Sequence, residues 1–169
     1  TGCAQGTMFA EQMADLATLR LPAVDLPRVD RTTLLAALEC MRAQPSVYRE
    51  AGSVHGTALC RGSELLFLVE DVGRHNTLDK IRGACLLRGI PTQDRILLTT
   101  GRVSSEMITK AARMDVPIVV SRTSPTALSV RLAQAWGVTL VGYARGRRLS
   151  VYTGVERVVA DVGAAVSEN

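Results

Sequence analysis

The sequence predicts an α/β protein, a three-layer sandwich on a mixed, mostly parallel sheet, and three observations carry that reading. Short apolar runs at 95–100 (RILLTT), 116–121 (VPIVVS) and 138–143 (VTLVGY) alternate with longer stretches of helical period. Strands that are apolar on both faces belong to parallel sheets covered by helices on each side. Two earlier runs, 54–60 and 65–70, are joined only by Arg61-Gly62-Ser63-Glu64, which is hairpin spacing and adds an antiparallel pair at one side. Finally, a short loop of Gly, Arg, Ser or Thr stands between a strand and the helix that follows it.

Taken in order, residues 1–30 are loop-rich and interrupted by Pro22 and Pro27. Asp30 is placed to cap a helix over 31–44, where Leu34, Leu35, Leu38 and Met41 share a face. Pro45 and Gly52 break the chain before the hairpin. A helix over 74–87 carries Leu78, Ile81, Cys85 and Leu86 inward and stops at Gly89. The strand at 95–100 precedes a helix over 104–114 and the strand at 116–121. Ser124 is placed to cap a helix that begins at Pro125 and runs to Trp136, with Gly137 beyond it. After the strand at 138–143, the Arg145-Gly146-Arg147-Arg148 turn leads to a short edge strand at 149–152. Residues 155–166 have the pattern of a last helix. The division is therefore a loop-rich 1–30 segment and one α/β domain over 31–169.

A chain of 169 residues with 47 % apolar side chains buries a sizeable core and lies outside the disordered class. No apolar stretch approaches the roughly 20 residues of a membrane helix, and no signal-peptide pattern opens the chain. A cytoplasmic protein without a membrane partner is expected. All but two of the 20 basic residues are arginine, the lysines being Lys80 and Lys110. Arginine's fork matches pairs of phosphate or carboxylate oxygens, whereas lysine is a point charge. Codon bias explains the excess equally well, but not its placement in the loops. The chain shows neither a basic helix nor an aromatic platform, which argues against a nucleic-acid partner. Its four cysteines have no metal-type spacing. Cys40, Cys60 and Cys85 lie in apolar contexts and are expected in the core; Cys3 sits among small residues outside any periodic element.

Chemistry concentrates in the loops at 71–76 (DVGRHN), 99–105 (TTGRVSS), 121–126 (SRTSPT) and 143–148 (YARGRR). Loops at the C-terminal ends of parallel strands share one edge, so the four are expected to converge on one pocket for a large anion. Arg102 with Ser104 and Ser105, and Arg122 with Thr123 and Ser124, add donors to helix starts that already carry about half a positive charge. Ser and Thr are also ordinary caps, so no single loop decides. None of the loops matches the nucleoside-triphosphatase phosphate loop or the GxGxxG fingerprint. His75 has Asp71 and Asp79 nearby in sequence to fix its tautomer, and Glu70 and Asp71 stand to order Arg74. Cys3 reads either as a nucleophilic sulfur assisted by arginines or as an incidental exposed thiol.

The run Val69-Glu70-Asp71-Val72-Gly73-Arg74-His75-Asn76-Thr77-Leu78-Asp79-Lys80 resembles the formate dehydrogenase accessory sulfurtransferase family, FdhD. So do Thr100-Gly101-Arg102-Val103-Ser104-Ser105-Glu106-Met107, the 121–126 loop and the 143–148 loop, and the resemblance is colinear over nearly the whole chain. It implies a dimeric sulfurtransferase that takes sulfur from a cysteine desulfurase as a persulfide on a loop cysteine. The sulfur passes to a molybdenum or tungsten bis-pterin guanine dinucleotide cofactor that formate dehydrogenase then receives. By that resemblance Cys3 is the catalytic residue. Tyr143, Ala144, Arg145, Gly146, Arg147 and Arg148 match the cofactor-binding segment, and GDP would be a partial mimic of the cargo. Arg74, His75, Gly101, Arg102, Ser104, Ser105, Arg122 and Ser124 complete the expected contacts.

Two departures qualify the resemblance. The family motif often reads Cys-x-x-Cys-Gly, and here the second cysteine position is Gly6, which leaves a single-cysteine mechanism. The family's fold is similar to that of cytidine deaminases, which hold zinc with a His-x-Glu or Cys-x-Glu start and a Pro-Cys-x-x-Cys start. Here the glutamate position is Thr77 and the 99–105 loop has no cysteine, so no metal site is expected. Members usually extend further at the N-terminus, so an upstream region is expected before residue 1. An alternative function of another class is a non-catalytic protein that binds and delivers the same cofactor.

Overall fold

Asp30 opens the first helix as the sequence predicts. In the computed structural model, which describes residue 21 and residues 28–159, the Thr33 backbone N–H donates to the Asp30 carboxylate at 2.6 Å. Helix α1 then runs over Arg31–Ala43. A one-turn helix, α2 (Val47–Ala51), stands between Pro45 and Gly52 and precedes the hairpin strands β2 (His55–Arg61) and β3 (Glu64–Asp71). Next come α3 (Arg74–Arg88), β4 (Ile96–Thr99), α4 (Ser105–Arg113), β5 (Ile118–Ser121) and α5 (Ala127–Trp136). The antiparallel pair β6 (Thr139–Arg145) and β7 (Arg148–Thr153) follows. Two short strands outside the main sheet, β1 (Val29–Asp30) and β8 (Val158–Val159), pair in parallel.

The main sheet has the order β3-β2-β4-β5-β6-β7. Its centre, β4-β5-β6, is parallel, with the β2–β3 hairpin antiparallel on one side and β7 antiparallel on the other. Side chains alternate between two cores, as the pleat requires. Leu59, Leu97, Val119 and Leu140 face α3, α4 and α5, whose Ile81, Ile108 and Ala133 are fully buried. Ala58, Leu98, Val120 and Val141 face the other way, against Leu34, Ala37 and Met41 of α1. The α/β three-layer class predicted from the sequence is the one observed.

Four local expectations are corrected. Cys40 is exposed, because the buried stripe of α1 is Leu34, Ala37 and Met41 and Cys40 lies beside it. Leu86 is 73 % exposed, because α3 buries Leu78, Ile81 and Cys85 instead. The cap of α5 is Thr126, whose Oγ1 accepts from the Ser129 N–H at 3.2 Å; Pro125 is held outside the helix by a parallel bridge to Val103. Residues 155–159 form a short 3₁₀ turn (Val155–Arg157) and then β8, not a helix. Arg157 is tied down there by donating to the Gly137 carbonyl at 2.6 Å and to Thr139 Oγ1 at 3.0 Å. The segments 1–20 and 160–169 lie outside the described residues.

The starts of α1 and α3 share a device with a pH signature. Gly73 caps α3 without a side chain, and Asp71 takes over. Its carboxylate accepts from the Gly73 N–H at 2.8 Å and from Asn76 Nδ2 at 2.9 Å, and pairs with Lys80 at 2.6 Å. Lys80 above all, with Gly73 and Asn76, holds the Asp71 carboxyl down to about 2. The Thr32 hydroxyl, followed by the Thr33 N–H and hydroxyl, holds Asp30 at about 2. Both folded values are depressed below the ordinary value of about 3.9, so the contribution is complete above about pH 4 and drains away towards about pH 2. Thermal melts from pH 5 to pH 2 should show that acid limb. The pair Asp30→Asn and Asp71→Asn, which caps without titrating, should flatten it; an unchanged limb refutes the assignment.

Candidate functional site

The four loops lie at one sheet edge, and hydrogen bonds zip those at 99–105, 121–126 and 143–148 together. Across the start of β2, the Gly56 N–H donates to Thr100 Oγ1 at 3.0 Å and the Thr100 N–H donates to the Gly56 carbonyl at 2.9 Å. The 121–126 loop is joined to its neighbour by Arg122 N–H to Thr99 O, Val103 N–H to Ser124 O and Thr126 N–H to Val103 O. Ser121 Oγ donates to the Gly101 carbonyl at 2.7 Å. On the far side the Tyr143 N–H donates to Thr123 O at 3.0 Å, and Arg145 Nε donates to the Arg122 carbonyl at 2.8 Å. Thr57, Thr77 and Thr99 form a hydroxyl chain beneath the edge: Thr57 Oγ1 lies 2.6 Å from Thr77 Oγ1 and 3.1 Å from Thr99 Oγ1. All three are buried, and Thr77 Oγ1 donates to the Arg74 carbonyl at 2.6 Å, which moors the start of α3 to the sheet.

The expectation of one pocket is corrected: the loop residues divide between the two faces of the sheet. On the α1 face a cavity of about 270 Å³ is lined by Met41, Arg42, Leu68, Thr100, Arg122 and Arg145 and by the carboxylates Glu39 and Glu70, with Ala144 and Gly146 at its side. Arg74, His75, Gly101 and Ser104 gather on the other face, where α3 and α4 begin. His75 Nε2 is 3.3 Å from Ser104 Oγ and 3.5 Å from a Glu106 carboxylate oxygen. A Cβ on Gly101 would stand 3.1 Å from Arg74 Cβ, so this glycine lets Arg74 lie against the loop.

The remaining predicted residues sit at the margins. Ser105 is the first residue of α4, behind its cap Ser104, whose Oγ accepts from the Met107 N–H. Ser124 contributes its carbonyl and not a helix cap. Tyr143, Arg147, Arg148 and Arg102 are exposed; the Arg147 carbonyl accepts from the Arg31 guanidinium. Cys3 lies outside the described residues. The partners assigned to His75 and Arg74 from the sequence are engaged elsewhere: Asp71 with Lys80, Asp79 with Lys110 at 2.6 Å, and Glu70 with Ser46 and the Val47 N–H. Sequence reasoning missed Glu106, His55 and the threonine chain. Glu106, in the first turn of α4, was the only visible signal among them.

Among the described residues no three His, Cys, Asp or Glu side chains cluster closely enough to hold a metal ion, and no helix is long and apolar enough to cross a membrane. The arginines, hydroxyls and unpaired helix N–H groups at this edge are anion donors.

The same stretch of chain is shared with known proteins. The FdhD/NarQ family matches residues 1–159. The sulfur carrier protein FdhD of Bacillus subtilis (strain 168) is 36 % identical over 156 residues, covering 92 % of this chain and 59 % of that protein. Its counterpart in Saccharolobus solfataricus is 39 % identical over 147 residues, covering 86 % and 57 %. A crystal structure from Desulfotalea psychrophila, assigned as a formate dehydrogenase accessory protein, superposes with a TM-score of 0.78 at 34 % identity. That superposition covers 86 % of this chain and 62 % of the other. The chain thus spans less than two thirds of the length of these relatives. With the family matched over residues 1–159 and these identities along the same stretch, the chain belongs to the FdhD/NarQ family.

Proposed function

We propose that this chain is a sulfur carrier that binds a guanine dinucleotide form of the molybdenum or tungsten pterin cofactor as cargo and passes it a sulfur atom. Family membership supports the sulfur-carrier role, and the loop-built cavity with Arg122 and Arg145 supports the cargo. Its volume of about 270 Å³ lies just below the usual range of about 300–1,000 Å³ for ligand pockets, so it is assigned to the nucleotide end of the cargo and not to the whole cofactor. Met41 and Leu68 give the base an apolar wall, while Arg122, Arg145 and Thr100 supply donors for phosphate oxygens. Anionic oxygens that cross the edge at Gly101 meet Arg74, His75 and Ser104.

In the reaction the Cys3 thiolate attacks the outer sulfur of a donor persulfide on a cysteine desulfurase. The donor's S–S bond breaks, the donor leaves as a thiolate, and Cys3 holds the persulfide. The terminal sulfur then passes to the cargo metal, which supplies the electron pair that reduces it to sulfide, and Cys3 returns to thiolate. Formate dehydrogenase receives the sulfurated cofactor, and the carrier works as a homodimer.

Calorimetric titration with GDP tests the binding half. Wild-type protein should bind GDP, and Arg122→Ala and Arg145→Ala should each weaken it about tenfold, the scale of one charge-assisted hydrogen bond. Arg82→Ala, at the opposite end of the sheet, should leave binding unchanged. Equal affinity in the Arg122→Ala/Arg145→Ala double variant would refute the assignment of the cavity.

A further inference from the structure

The cavity on the α1 face has an acceptor end as well as a donor end, and the sheet order sets them apart. Glu70 lines it from the end of β3, Arg122 from the end of β5 and Arg145 from the end of β6. In the order β3-β2-β4-β5-β6, β3 is three strands from β5 and four from β6. At about 4.8 Å per strand the three steps span roughly 14 Å, the reach of an extended nucleoside diphosphate from base edge to outer phosphate. Helix α1 packs on β3, so its Glu39 lines the cavity from the β3 side. Arg145 is drawn the other way, its Nε donating to the Arg122 carbonyl.

The two carboxylates are used differently. Glu70 serves the fold: one oxygen accepts from Ser46 Oγ at 2.5 Å and the other from the Val47 N–H at 2.8 Å, which anchors the start of α2. The Glu39 side chain is 56 % exposed, and Arg42 Nε at 2.9 Å and Nη2 at 2.8 Å both reach the same oxygen, Oε2. Among the described residues nothing else bonds Glu39, and Oε1 is left to the cavity. A cavity with a carboxylate at one end and arginines at the other suits a ligand with donors at one end and anionic oxygens at the other.

We propose that Glu39 selects guanine: its carboxylate accepts from N1–H and the N2 amine of the base, while Arg122 and Arg145 hold the phosphates. Proteins read unstacked bases on the Watson–Crick edge, and guanine alone among the common bases carries two neighbouring donors there. Adenine and cytosine set an acceptor beside their amine, and uracil flanks its one donor with acceptors. Arg42 braces the carboxylate through Oε2. This role rests on the nucleotide reading of the cavity.

Calorimetric titration with three nucleotides tests it: GDP, inosine diphosphate, which lacks the N2 amine, and xanthosine diphosphate, which has an acceptor oxygen in its place. The wild type should bind GDP about tenfold tighter than inosine diphosphate, the factor of one hydrogen bond to a charged group, and xanthosine diphosphate most weakly. Glutamine offers one acceptor and one donor, so Glu39→Gln should lose about tenfold for GDP and gain about tenfold for xanthosine diphosphate. Glu39→Ala should lose for GDP without that gain. A merely structural role would weaken all three nucleotides alike. The exposed Glu39–Arg42 pair adds little stability, so both variants should melt like the wild type. Equal wild-type affinity for the three nucleotides, or an unchanged preference in Glu39→Gln, overturns the assignment and leaves the cavity as a nucleotide site. A switch to xanthosine diphosphate in Glu70→Gln and not in Glu39→Gln overturns it too. A wild type that binds none of the three overturns the cargo reading itself, and the selection with it.

Discussion

Replacing Cys3 with alanine is expected to abolish sulfur transfer and leave GDP binding unchanged. The other thiols are poor candidates for physical reasons. Cys60 is buried in β2, and burial pushes its thiol up to about 12, so almost none is thiolate at neutral pH. Cys85 is buried in α3 and is likewise raised by burial, only partly offset by Arg95. Cys40 is the instructive control, since it is exposed and flanked by Glu39 and Met41 of the cavity wall. After incubation with a desulfurase and cysteine, the peptide containing Cys3 should gain about 32 Da, one sulfur atom, and lose it on reduction. The Cys40→Ala variant should load and transfer like the wild type. Full transfer by Cys3→Ala would refute the single-cysteine mechanism, and loss of transfer only in Cys40→Ala would move the sulfur to α1.

The convergence of the loops was legible because strand direction follows from apolar runs separated by helices, and that alone puts their C-terminal ends together. Which face each loop residue takes was not legible. Arg122 and Arg74 both follow strands, yet they end on opposite sides of the sheet edge, a choice made by the bonds of Arg145 Nε to Arg122 O and of Thr77 Oγ1 to Arg74 O. Thr57, Thr77 and Thr99 read as ordinary strand and helix residues; only the packing of α3 on β2 makes them a chain. His55 carries no spacing signal, because it and Arg74 are 19 positions apart and come near the same residue, Gly101, only in the fold. At 155–159 the expected start of a last helix gives way to a 3₁₀ turn and β8, where pairing with β1 and the anchoring of Arg157 hold the chain. Ser124 and Thr126 both suit a helix cap near Pro125. The bridge from Pro125 to Val103 delays the helix to the later one.

Gly154→Ala should cost far more stability than Gly146→Ala, and the comparison separates the causes. Both glycines have left-handed backbones, with φ of 67° and 55°, so alanine at either costs about 1 kcal/mol in backbone strain. Their surroundings differ. Nothing lies within 4 Å of a Cβ on Gly146, whereas one on Gly154 would run into Thr139 Oγ1 and stand 3.0 Å from Thr139 Cα and Cβ. Thr139 is fully buried and pairs with Ile118 of β5, so it has no room to retreat. Overpacking of this kind adds about 1–3 kcal/mol. For a domain of this size each kcal/mol lowers Tm by about 2–4 °C, so Gly146→Ala should fall about 3 °C and Gly154→Ala about 10 °C. The clash lies at the opposite end of β6 from Arg145. Below its melting point Gly154→Ala should therefore still bind GDP like the wild type. Equal Tm losses in the two variants would mean that backbone strain alone is felt at Gly154 and that β6 yields; loss of GDP binding in folded Gly154→Ala protein would mean that the sheet edge depends on how the far end of β6 is packed.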